Sequence, residues 1–121
     1  MPATNTTKRT GVSVTTTDAT VTDATLFTTQ SNKAYHVVAK VVATETADHD
    51  EVAGYIRAAT FKNDGGTLTQ VGSTTAVATH EDTAGWDVTL DATGTTIRLR
   101  VTGAAATVIN WRVDLEILEV E

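Results

Sequence analysis

An all-β fold, a single antiparallel sandwich of jelly-roll-like type, is predicted by three observations on this sequence. Threonine occupies 27 of the 121 positions, and its β-branched side chain loses freedom in a helix but suits a pleated, half-exposed strand. Apolar and polar residues alternate with period two in several segments, which gives each of them one buried face. Proline occurs once, at Pro2, so the rest of the chain is free to donate to ladders.

The elements follow in chain order. Residues 1–10, MPATNTTKRT, have no apolar face and read as an extended N-terminal arm; residues 11–121 read as one β-sandwich domain without repeat or linker. Gly11 to Thr16 and Val21 to Thr29 are the weaker strands. In Tyr35 to Ala43 the odd positions are apolar, but Val38 and Val42 occupy the other face, as expected of a central strand or one whose second face meets another subunit. Val52 to Phe61 places Tyr55, Arg57 and Phe61 on one face and Ile56 on the other. The turn Asn63-Asp64-Gly65-Gly66 then leads into Thr67 to Val71 as a hairpin, because positive φ is easiest for these residue types. Thr74 to Thr79 and Trp86 to Leu90 follow, the latter closed by Asp91-Ala92-Thr93-Gly94.

Ile97 to Val101 and Ile109 to Ile117 are the clearest strands, the second alternating perfectly over nine residues. The short link Thr102 to Ala106 suits a hairpin, which would bring Arg98 and Arg100 onto one outer face with Asp114 and Glu116. Leu118 and Val120 then break phase, the mark of a bulge or of a tail whose other face a partner covers. About eight or nine strands at this spacing fit a sandwich or barrel.

Composition excludes several functions. Hydrophobic residues make up 40% and charged residues 20%, as in a globular domain. No apolar run approaches the roughly 20 residues of a membrane span, and the start lacks the apolar core of a signal peptide. There is no cysteine, so disulfides and thiolate metal sites are impossible. The net charge of −6 argues against a nucleic-acid partner, which demands a basic face. Lys8 and Arg9 are the only charges in the first ten residues, leaving −8 on the remainder. An acidic body with a small basic tip suits docking by an arm.

Chemical constellations are sparse. His36, His49 and His80 lack metal-ligand spacing, and the acidic stretches Asp48-His49-Asp50-Glu51 and His80-Glu81-Asp82 read as solvated loops, so no metal site is expected. No phosphate loop, dinucleotide fingerprint or nucleophile elbow occurs. Ser13, Ser31 and Ser73 lack nucleophile context, and Asp87 and Asp91 have ordinary strand and turn surroundings. No catalytic residue, cofactor or enzymatic activity is expected. Trp86 and Trp111 occupy inward phases and read as core rather than as a glycan-stacking platform. Arg57 and Arg112 read as outward charges or as partners across a subunit boundary.

Taken in order, YIRAATFKNDGGT (Tyr55 to Thr67), Val71-Gly72-Ser73, Glu81-Asp82 before WDVTL (Trp86 to Leu90), VTGAA (Val101 to Ala105) and INW (Ile109 to Trp111) give a recognisable pattern. Over residues 34–120 the chain resembles a β-rich structural module of tailed-bacteriophage virion proteins, of the head decoration (cement) or tail-fibre type. The resemblance implies a non-enzymatic virion component. Its first expectation is a free-standing capsid decoration protein, made in the host cytoplasm, that binds the assembled major capsid protein shell on the capsid surface as a homotrimer. The alternative is a tail or fibre module involved in recognition of host-surface glycans. The residues expected to meet partners are Lys8 and Arg9 in the arm, Val38 and Val42 on the two-sided strand, Arg57, and Leu118 and Val120 in the tail.

Overall fold

The computed structural model describes residues 4–47 and 49–121, which form eight strands and no helix. These are β1 (Thr4–Thr16), β2 (Thr22–Thr28), β3 (Lys33–Glu45), β4 (Val52–Asp64), β5 (Thr67–Glu81), β6 (Asp87–Thr93), β7 (Thr96–Thr102) and β8 (Ile109–Val120). A five-stranded sheet runs β1-β8-β3-β4-β5, and a three-stranded sheet runs β2-β7-β6. All neighbouring pairs are antiparallel. The first strand thus pairs with the last, and the second with the seventh, which is the double winding of a jelly roll. The β4–β5 hairpin widens the larger sheet.

Period-two alternation does what the sequence pattern dictates. Tyr35, Val37, Ala39, Val41 and Ala43 from β3 meet Trp111, Val113, Leu115 and Ile117 from β8 across the sandwich from Val88, Leu90, Ile97, Leu99 and Val101. Trp111 sits 6.1 Å from Trp86 and 6.4 Å from Tyr55, centroid to centroid, and its Nε1 donates to Thr16 Oγ1 at 2.9 Å. The expected tight turn is present. Gly65 and Gly66 both have positive φ, and Asn63 Oδ1 accepts the Gly66 N–H at 2.9 Å, so the paired glycines meet a requirement that few other residues could.

Both margins of the sandwich are closed by arginine. At one, Arg9 Nη1 donates to Leu26 O at 2.8 Å and to Thr25 Oγ1 at 3.2 Å, with the guanidinium over the Phe27 ring. At the other, Arg57 Nε donates to Val88 O at 3.0 Å and Nη1 to Ala78 O at 2.8 Å, while the group lies 4.9 Å from the Tyr55 centroid. Thr74 Oγ1 adds a bond to Leu90 O at 2.7 Å. Satisfied polar bridges of this kind hold two twisted sheets where few apolar side chains reach.

Several expectations are corrected. Residues 4–10 of the expected arm are the first half of β1, laddered to β8 from Thr4↔Val120 to Thr16↔Ile109; residues 1–3 lie outside the described residues. The strands expected at Thr67 to Val71 and Thr74 to Thr79 are one long β5, bent where its register against β4 shifts. β7 and β8 do not form a hairpin, since the link between them crosses from one sheet to the other. Arg98 therefore pairs with Asp91 and Arg100 with Asp23, rather than with Asp114 and Glu116. β8 keeps an unbroken register against β3 to its end, and the shift falls in β1 between Arg9 and Val12 instead. Leu118 and Val120 are then simply the outward positions of β8. Arg57 points inward and is 6% exposed, its guanidinium satisfied by the carbonyls of Val88 and Ala78.

Candidate functional site

The outer face of the five-stranded sheet is not covered by the other layer of the sandwich. Register fixes the lattice of this face. Successive rows read Thr15, Asn110, Thr44, Val52; then Ser13, Arg112, Val42, Gly54, His80; then Asp114, Lys40, Ile56, Ala78. They continue Lys8, Glu116, Val38, Ala58, Thr75; then Thr6, Leu118, His36, Thr60, Val71; and finally Thr4, Val120, Ala34, Lys62, Thr69. An apolar stripe zigzags along the β3–β4 pair through Val52, Val42, Ile56 and Val38. Val42 is 51% exposed, and Leu118 and Val120 are 45% and 46% exposed in a second apolar group.

Small residues hollow the stripe. Gly54, Ala78 and the backbone of β3 leave a shallow depression of 370 Å³ bordered by Lys40, Val42, Ile56, His80 and Arg112. It is an open groove rather than an enclosed pocket, which suits a protruding side chain or loop better than a small substrate.

The electrostatics of the face are uneven. Lys8 Nζ lies 3.6 Å from Glu116 Oε2, both well exposed. Asp114 stands opposite Lys40 in the ladder, yet its Oδ1 accepts the Gly11 N–H at 2.9 Å. Lys40, Lys62 and Arg112 have no ion pair among the described residues. The face carries four cations, Lys8, Lys40, Lys62 and Arg112, against two carboxylates. The rest of the chain carries five cations against thirteen carboxylates. His36 Nδ1 and Thr60 Oγ1 are 2.8 Å apart across the β3–β4 ladder.

Of the residues expected to meet partners, Val38, Val42, Leu118 and Val120 gather on this one face, with Lys8 at its β1 margin. Arg9 and Arg57 do not join them, being engaged within the chain. Sequence reasoning missed Lys40, Ile56, Ala58 and Lys62. The signal was Ile56 in the phase of β4 opposite Tyr55 and Phe61, but only the β3–β4 register sets it beside Lys40.

Other candidate chemistry disperses. His49 lies in the β3–β4 loop, whereas His36 and His80 occupy separate rows of the sheet. Among the described residues no group of three metal-ligating side chains gathers; Asp48 lies outside them. Asp87 approaches Arg57 at 3.6 Å, and Asp91 binds Arg98 bidentately at 2.8 Å. Trp86 and Trp111 are both buried and offer no surface for stacking a sugar. The Trp86 Nε1–H has no hydrogen-bond partner among the described residues. Tyr55 donates to Glu81 Oε2 at 2.6 Å, and burial followed by this carboxylate pushes its hydroxyl far above the ordinary phenol range.

No family model and no curated protein matches the chain. Among solved structures it is similar to the tailspike protein of Acinetobacter baumannii phage AM24, with 8% identity, 98% of this chain and 26% of that chain covered, and a TM-score of 0.46. It is also similar to tailspike protein gp49 of Acinetobacter baumannii bacteriophage Fri1, a capsular polysaccharide depolymerase, with 14% identity, 95% and 17% coverage, and a TM-score of 0.47. The chain spans about a quarter of the length of the first and a sixth of the second.

Proposed function

We propose that this chain is a non-enzymatic structural module of a tailed-phage virion, of the tail or fibre type, which works by packing its five-stranded sheet face against protein. The observation that carries the packing role is the outer face itself: an apolar stripe hollowed by Gly54 and Ala78, with Lys40 and Arg112 beside it and without ion-pair partners among the described residues. Exposed apolar area of this kind on a regular sheet gains free energy when a partner covers it. The virion setting comes from the sequence resemblance over residues 34–120.

Between the two virion readings, the tail type is preferred because the arm that was to dock on the shell is not free from Thr4 onward. Lys8 faces Glu116, and Arg9 binds the backbone of β2. Glycan recognition through the tryptophans loses its basis, since both rings are core. The test is direct. Antibody labelling of intact particles, read by electron microscopy, is expected to mark the tail; label spread over the head shell would establish the decoration reading instead. Incubation with host capsular polysaccharide is expected to release no new reducing ends, and release would overturn the non-enzymatic part.

A further inference from the structure

The outer sheet face has a complement at one end of the same molecule. The β1–β2, β3–β4, β5–β6 and β7–β8 connections all lie at one end of the sandwich, because strands alternate in direction and these four loops follow odd-numbered strands. Within and beside them stand Asp18, Glu45, Asp50, Glu51, Glu81, Asp82 and Asp87, and none of the four loops contains a lysine or arginine. The end is not wholly polar. Val21 is 43% exposed and Val108 is 41% exposed, and the neighbouring Ala105 and Ala106 are exposed as well.

Resting on the outer sheet face as a packing surface, we propose its occupant: the acidic loop end of a second copy of this chain. Charge decides the pairing. Face on face would bring a cationic surface against itself, and end on end would set seven described carboxylates against another seven. Only end on face brings Glu51 and Asp82 of one copy toward Lys40 and Arg112 of the next, which steers association and fixes register. Val21 and Val108 then cover the stripe of Val42 and Ile56, so the apolar and charged complements coincide. The contact is heterologous, leaving one face and one end open at each step until a ring closes.

Sedimentation velocity of the purified full chain tests it. At low salt, about 50 mM, association is expected in the micromolar range, weakening at least about tenfold at roughly 500 mM as screening shortens the reach of the charges. A face variant, Lys40→Glu with Val42→Glu, and an end variant, Glu51→Lys with Val21→Lys, are each expected to sediment as monomers with unchanged melting temperature. Mixed together, the intact end of the first meets the intact face of the second, and association between unlike copies is expected that neither variant shows alone. Single variants that still assemble, or a mixture that stays monomeric while wild type associates, would overturn the end-on-face contact. So would a wild-type chain that remains monomeric at low salt. If either double variant unfolds, Lys40→Glu and Glu51→Lys alone serve, each weakening association at least tenfold and restoring it when mixed. The packing-face proposal fails separately, if variants of the face leave incorporation into particles unchanged.

Discussion

On the three-stranded sheet, Arg98 and Arg100 each find a carboxylate one strand away; on the five-stranded sheet, Lys40, Lys62 and Arg112 find none among the described residues. The smaller face is finished within the chain. Its rows read Asp23, Arg100, Thr89 and Leu26, Arg98, Asp91, and Leu26 is its lone large exposed apolar residue. The bidentate bond to Asp91 holds the Arg98 guanidinium above even its usual range. The larger face combines the reverse properties: apolar residues in outward positions, and cations without counterparts. The difference teaches that exposure alone does not mark a partner surface. What marks it is exposure together with unspent pairing capacity on a regular lattice.

The largest effect is expected where a cation is fully used. Arg57 bridges β5 and β6 through Ala78 O and Val88 O with its charge buried beside Tyr55. Arg57→Ala strands those acceptors and opens a void, and is expected to lower unfolding free energy by about 3 kcal/mol. Arg112→Ala, on the open face, is expected to stay within about 0.5 kcal/mol. Urea titration of both variants reads the contrast. Equal losses would mean that Arg112 has a partner within the chain and that the face is less open than described.

Arg57 and Arg112 also show what the sequence left illegible. Alternation placed Arg57 in phase with Tyr55 and Phe61, so its inward direction was visible, but a charge in a core phase reads first as a surface charge. Its partners are backbone carbonyls on two other strands, which no side-chain pattern announces. Alternation likewise tells which side of β7 and β8 is buried, but not which sheet each belongs to. The link Thr102 to Ala106 has a hairpin's length, yet Gly103 serves a crossing. A Cβ there would lie 2.6 Å from Thr16 Oγ1 and 3.1 Å from Asp18 O, so the glycine permits close passage under the end of β1 rather than a tight turn. The strands from β3 to β4 and from β6 to β8, the Gly65-Gly66 turn and the outward Val38 and Val42 were legible because each depends only on local period or local φ. The candidate face was half legible, since Lys40 meets Ile56 only through register.

A smaller effect is expected on the finished face. A double-mutant cycle with Arg98→Met and Asp91→Asn is expected to give a small favourable coupling that salt weakens, as a partly exposed bidentate pair should. The same cycle on Lys40→Met and Asp114→Asn is expected to give a coupling near zero, although these residues are direct cross-strand neighbours, because Asp114 is turned to the Gly11 N–H. Thermal melts at low and high salt measure both. Coupling at Lys40 equal to that at Arg98 would erase the distinction between the faces.

The smallest effect on stability is expected from removing the apolar stripe itself. Val42→Thr and Ile56→Thr keep the β-branch that suits a strand while replacing exposed apolar surface with hydroxyl. In the isolated chain each is expected to change unfolding free energy by less than about 0.5 kcal/mol, because neither side chain belongs to the buried core. If the stripe exists for a partner, the same pair of substitutions must weaken association while leaving the melting temperature in place, and sedimentation beside thermal denaturation separates the two. A large loss of stability with unchanged association would instead assign Val42 and Ile56 to the sandwich's own packing. The outer face would then be as finished as the one carrying Arg98 and Arg100.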